Sequence, residues 1–172
     1  DTQSTSTLLV ALYFYQCEYV TLINVTVTNS SGMGVLMYDT TGENSISHSI
    51  FSYNVAQYLK IPGGGGFSIE FTYTAPMDGS SPSSLQRNTG SMYEFVNCTF
   101  SGNAYVAENV STVPKLIIIP YEYNHDACGK GGGLALFFKG NASGNNVSLS
   151  NCTFENNRAI WGGGLHAEFH DA

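Results

Sequence analysis

A short repeat constrains this chain more than any other feature. Three segments are near copies of one another: Phe51-Ser52-Tyr53-Asn54, Phe100-Ser101-Gly102-Asn103 and Phe154-Glu155-Asn156-Asn157. They share F-x-x-N, and the last two are preceded by the same Asn-Cys-Thr. A weaker copy runs from Ile23 to Val27, with Ser30 where the Asn would fall. After each comes a second motif, in which glycine leads into an apolar stretch: Gly34 to Tyr38, Gly66 to Phe71, Gly133 to Phe138 and Gly164 to Phe169. Leu8 to Tyr15 supplies an earlier copy without the glycines. Two strand types therefore alternate along the chain. Val27, Phe51, Phe100 and Phe154 follow one another at intervals of 24, 49 and 54 residues. Inserts at about 75–91 and 105–130 account for the longer intervals, and the second contains the apolar run Leu116 to Ile119.

Such a pattern predicts stacked strands. Side chains alternate along a strand, which places Val25 and Val27, Cys98 and Phe100, and Cys152 and Phe154 inward. Asn24, Asn97 and Asn151 then face outward. Along the glycine-led strands, Phe67, Ile69 and Phe71 turn inward, and Ser68 and Glu70 outward. One repeat cannot bury its own inner face. Repeats stacked at ~4.8 Å give each a neighbour and share one core. Phe51, Phe100 and Phe154 are expected to form an apolar column. Asn54, Asn103 and Asn157 are expected to form an amide ladder at a turn, where Asn tolerates left-handed backbone. The glycine runs should make the next corner at positive φ. The fold class read from the residues is all-β: a parallel β-helix of about four to five coils, one segment over 1–172.

Composition agrees. Charged residues make up 11% of the chain and aromatics 13%, which excludes a disordered acidic tail. A net charge of −7 argues against nucleic acid and against anionic membrane as partners. No apolar run approaches the ~18 residues of a membrane span, so no membrane insertion is expected. With no initiator Met, the chain reads as a mature product or part of something longer. Seven N-x-S/T sequons, at Asn24, Asn29, Asn97, Asn109, Asn141, Asn146 and Asn151, point to an extracellular or cell-surface glycoprotein carrying N-linked glycans. Four cysteines, an even number, suit that compartment.

The pairing of F-x-x-N with G-G-x-[ILV/F], from about Val20 to Phe169, resembles the repeats of polymorphic outer-membrane-protein-like and pertactin-like β-helices. The resemblance implies right-handed coils and an extracellular structural or adhesive role. The sequon load points to a eukaryotic secreted protein carrying the same repeat.

Candidate chemistry is sparse. Polysaccharide lyases and hydrolases need clustered carboxylates, but the acids here are scattered and no N-T-D, D-D or G-H-G signature occurs. Glu70 and Glu168, outward on equivalent strands, are the best pair for that reading. His166, Glu168 and His170 share one strand face and have zinc-compatible chemistry, but a full ligand set is not visible, even with Asp171 near. The Gly63–Gly66 and Gly129–Gly133 runs lack the Lys-Ser/Thr and helix of a phosphate loop. Neither metal, cofactor nor catalysis is expected. Cys98 and Cys152 share a repeat position and are disulfide candidates; Cys17 and Cys128 are candidates for a bridge between chains. Leu36, Tyr38 and Phe137, with Tyr13 and Ala135, point outward as a contact face, covered by the inserts, by another chain or by sugars. Uncapped ends favour stacking on copies of the same chain or on neighbouring repeats. The expected function is a building block of a fibre or adhesin-like stalk, with a carbohydrate-binding module as the alternative and a polysaccharide lyase or hydrolase as the second.

Overall fold

A computed structural model describes residues 9–57, 64–72, 90–106, 130–139 and 144–170. Among these there are fifteen strands and no helix, and every strand pairing is parallel. Strands β1 (Val10–Tyr15), β4 (Met33–Tyr38), β8 (Phe67–Thr72), β12 (Leu134–Lys139) and β15 (Leu165–His170) form a five-stranded sheet in that order. A second sheet, of four strands, joins β2 (Thr21–Ile23), β5 (Glu43–Ser47), β9 (Met92–Val96) and β13 (Asn146–Ser150). A third joins β3 (Thr26–Thr28), β6 (Ile50–Ser52), β10 (Thr99–Ser101) and β14 (Thr153–Glu155). The chain visits the second, third and five-stranded sheets in the same order each time, making four repeats that follow β1. A short pair, β7 (Val55–Gln57) and β11 (Ala104–Val106), sits between the third and five-stranded sheets of the middle repeats.

Register follows burial. Val27, Phe51, Phe100 and Phe154 stack as expected in the third sheet. Leu22, Ile46, Phe95 and Leu149 do so in the second, and Val35, Phe67, Leu134 and Leu165 in the five-stranded sheet. A one-residue slip would turn every one of these out of the core, which is why the register is firm. The columns meet in one interior. Phe67 packs edge-on against Phe51 at 5.0 Å and against Phe95 at 5.2 Å, so all three sheets converge there. In the fourth repeat the same columns reach the surface: Leu149 is 38% exposed and Leu165 41%, where Phe95 and Leu134 are fully buried.

The amide ladder is present. Asn54 and Asn103 are fully buried, and each hands its side-chain Nδ2 to the amide oxygen of the next Asn at 3.1 Å. The glycine runs meet the expectation in part, since Gly131 and Gly162 turn at φ 69° and 59°. Gly34, Gly66 and Gly133 do not sit at positive φ. A Cβ on Gly66 would lie 2.5 Å from the Gly133 carbonyl oxygen and 2.8 Å from Asn103 Nδ2, and Gly34 and Gly133 meet Asn54 and Asn157 likewise. Glycine is required at these three positions because the next repeat's glycine carbonyl and the ladder amide both lie against it. The two motifs are therefore two halves of one contact.

Several expectations are corrected. Asn24, Asn97 and Asn151 do not lie on strands. They occupy left-handed corners at φ 56°, 53° and 52°, between the second and third sheets, and all three are exposed there. His48 completes the column, as the register of the flanking strands requires. The second insert starts later than expected, because Tyr105 and Val106 belong to β11. Its residues 107–129, with Leu116 to Ile119, and residues 75–89 of the first insert lie outside the described residues, as do Asn109, Asn141, Cys128 and Asp171.

Candidate functional site

Three features carry chemistry. The first is the outer face of the five-stranded sheet. Register sets Tyr13, Leu36, Ser68, Ala135 and His166 in one row, and Tyr15, Tyr38, Glu70, Phe137 and Glu168 in the next. Of the expected outward face, Leu36, Ala135 and Phe137 are fully buried and Tyr38 is half-buried, so this part of it is covered within the chain. Leu36 joins a second apolar cluster with Met33, Ala56 and Tyr105, part of which comes from β7 and β11. What is exposed lies at the β1 end. Tyr13 and Tyr15 are 50% and 55% exposed with rings 6.1 Å apart, and Tyr15 stacks on Tyr38 at 5.8 Å. Burial, then the neighbouring Tyr15, Tyr38, Glu70 and Asp39, raises the pKa of the Tyr13 phenol, so it stays protonated at neutral pH.

At the opposite end Lys130, His166 and Glu168 come together. The Lys130 ammonium is almost buried, bonds Glu168 Oε1 and lies 5.9 Å from the centre of the Phe137 ring. His166 Nε2 is 2.9 Å from the same carboxylate oxygen. The pairing of Lys130 depends on a contact across 38 residues that no local motif announces. Glu168 is thus committed to two partners. Glu70, two strands away, has the register position of Phe137 between it and Glu168. At ~4.8 Å per strand their backbones stand roughly 10 Å apart in one row. His166 and Glu168 are partners as the metal reading required, while the side chain of His170 lies outside the described residues. Among the described residues no group of three or more His, Cys, Asp or Glu converges as a metal site.

The second feature is the corner column Asn24, His48, Asn97 and Asn151. Asn97 Nδ2 lies 3.1 Å from His48 Nε2. Asn97 and Asn151 are neighbours in the column, because Thr99 pairs with Thr153. Glycans on both would start about one strand spacing, ~4.8 Å, apart. Asn29, at φ 58°, and Asn146, on β13, are also exposed.

Beside this corner Ser49, Cys98 and Cys152 share a row. Ser49 Oγ donates to the Ser47 carbonyl two residues back. Cys98 Sγ lies within reach of the Ile46 and Val96 carbonyls, and Cys152 Sγ of the Phe95 and Ser150 carbonyls, one of which accepts each S–H. The thiols take the part of the serine hydroxyl. They are free, not bridged as the shared repeat position suggested. Burial pushes the Cys98 thiol pKa up, which depresses its reactivity. Alkylation of the native chain with iodoacetamide, mapped by peptide mass, is expected to label half-buried Cys17 well before Cys98. Equal labelling rates, or a Cys98–Cys152 disulfide in the unreduced protein, would contradict these free, shielded thiols.

The third feature is the open edge of the fourth repeat, where Leu149, Trp161, Leu165 and Phe169 are 38%, 52%, 41% and 56% exposed. No known family model matches the chain, and no curated protein or solved structure is found to match it.

Proposed function

We propose that the chain is a segment of a right-handed parallel β-helix and serves as an extracellular structural glycoprotein, a building block of a fibre or adhesin-like stalk. The observation that carries this reading is the last repeat. Its three sheet strands continue the register of the repeats before it, yet its edges and apolar columns lie open. Open parallel edges with exposed core residues associate with further strands of the same kind. Exposed sequons at Asn24, Asn29, Asn97, Asn146 and Asn151 would place glycans around the sides, which keeps lateral association in check and leaves the axial direction free.

Intact-mass analysis of the chain secreted from eukaryotic cells tests the compartment. A mass well above 18.5 kDa that falls on enzymatic deglycosylation is expected. The bare-chain mass would overturn the glycoprotein reading. Electron microscopy of the same sample separates the two forms: filaments mark a fibre of copies, and dispersed particles mark a stalk segment covered by neighbouring coils.

A carbohydrate-binding module is the second reading, favoured by the exposed Tyr13 and Tyr15 pair. Aromatic faces stack on sugar rings, and this reading needs saturable glycan binding that Tyr15→Ala abolishes.

A further inference from the structure

We infer that the open edge of the fourth repeat is a docking surface for one further coil carrying F-x-x-N, and not for the first repeat of a second copy. This deepens the β-helix reading above and rests on it. Two independent features carry it.

The first is strand number. The sheet from β1 to β15 has five strands, and the second and third sheets have four. A second copy that continues the four-stranded sheets must set its β2 beside β13 and its β3 beside β14. Its β1 then falls on the place that β15 already fills. Setting β1 beside β15 instead leaves a gap one strand wide in both other sheets. Each buried strand edge in such a gap carries unpaired N–H and C=O groups. A segment that begins with a strand of the second sheet has no such conflict.

The second is the direction of the amide ladder. Ser30 N–H donates to Asn54 Oδ1 at 3.1 Å. Asn54 N–H and Nδ2 both donate to Asn103 Oδ1 at 3.1 Å. Asn103 N–H and Nδ2 donate to Asn157 Oδ1 at 3.0 and 3.1 Å. Asn54 and Asn103 each pass two N–H groups to one amide oxygen of the following repeat, where Ser30 passes one. Asn157 holds the same posture: its Nδ2 donates to Phe100 O at 2.8 Å, as that of Asn103 does to Phe51 O at 2.7 Å and that of Asn54 to Val27 O at 3.0 Å. Among the described residues, the Asn157 N–H and its second Nδ2 hydrogen have no acceptor. The group that fits is a side-chain amide oxygen one strand spacing further on, which is what the Asn of F-x-x-N supplies. A second copy would bring Ser30 to that place. Ser30 has only a hydroxyl, already engaged with Gly32 N–H and the Met33 carbonyl. The exposed Leu149, Leu165 and Phe169 supply the apolar half of the surface.

The test exploits the register. Lys139 pairs with His170, so residues 140–170 can be appended directly after His170 as an in-phase coil. Hydrogen exchange at the Asn157 amide is the readout, with the Asn54 and Asn103 amides as internal controls. Exchange at Asn157 is expected to slow towards that of Asn103 in the extended chain. The slowing is expected to be lost when the appended copy carries Asn157→Ala. Equal protection in the two extended chains, or no protection in either while the control amides stay slow, overturns the inference alone. Protection in the unextended chain that appears with self-association, seen by sedimentation, overturns the choice of partner and leaves the β-helix reading standing. Control amides that exchange as fast as Asn157 in every form overturn that reading too.

Discussion

Replacing Asn103 with alanine is expected to lower the unfolding free energy by about 1–3 kcal/mol, the range for one buried partner left unsatisfied. Asn103 is fully buried in the middle of the ladder. Its Oδ1 accepts from Asn54 N–H and Nδ2, and its Nδ2 donates to Phe51 O and Asn157 Oδ1. Alanine strands the Asn54 N–H and removes one of the two donors to the Phe51 carbonyl, whose ladder bond to β10 remains. Asn103→Asp separates the donor role from the acceptor role. It keeps an oxygen for Asn54 but turns the other towards two acceptors, Phe51 O and Asn157 Oδ1. Burial and those acceptors favour the protonated acid, so the folded-state pKa rises above the unfolded value of about 3.9. Stability is then retained below that unfolded value and lost as pH rises through the folded one. Urea unfolding of both variants at acidic and neutral pH checks this. An Asn103→Ala loss below about 1 kcal/mol, the worth of one ordinary hydrogen bond, would show that the ladder is not a network.

Much of this fold was legible because its period is written in residues that can do little else. Phe in F-x-x-N recurs at the inward position of one sheet, and the stacked column follows from burial. The Asn ladder followed from the same phase. The corners were misread because N-C-T-F looks like a continuous alternating strand. In the structure the sheet direction changes at the Asn itself, since Asn at φ near 53° is cheaper than most residues there. His48 and Tyr53 hold the same conformation at φ 51° and 54° without any sequence signal, because the repeats on either side dictate it.

The outer face was the least legible part. Strict alternation assigns Leu36 and Phe137 outward correctly, as their register with Ser68 and Glu168 requires, yet both are fully buried. Alternation gives direction and not coverage. Coverage is set by chain segments distant in sequence, and the same holds for Lys130, whose partner is 38 residues away. The glycine rule held only in part, for a related reason. Backbone freedom explains Gly131 and Gly162, whereas at Gly66 the operative cause is the approach of the Gly133 carbonyl and of Asn103 from the repeat alongside.

Phe100→Ala is expected to cost about 3–5 kcal/mol, the range for truncating a fully buried phenylalanine. The ring is stacked on Phe51 at 5.3 Å and on Phe154 at 4.7 Å, and it is tilted against Phe95 at 5.9 Å. The hole left behind cannot close. Phe51 and Phe154 are held on strands that pair with β10 in fixed register on both sides, so the backbone ladder keeps their spacing. A cavity that the surroundings cannot collapse lies at the upper end of such costs. Phe154→Ala removes the same side chain from the last repeat, where it is only half-buried, and is expected to cost clearly less. Denaturant midpoints with unchanged slopes measure the difference as stability rather than as altered compactness. The comparison also reports on the open edge. Equal losses at Phe100 and Phe154 would mean that Phe154 is covered in solution, as a further coil seated on the fourth repeat would cover it. A smaller loss at Phe154 in the chain alone, rising to that of Phe100 once residues 140–170 are appended, is the result expected if that edge is where the next coil binds.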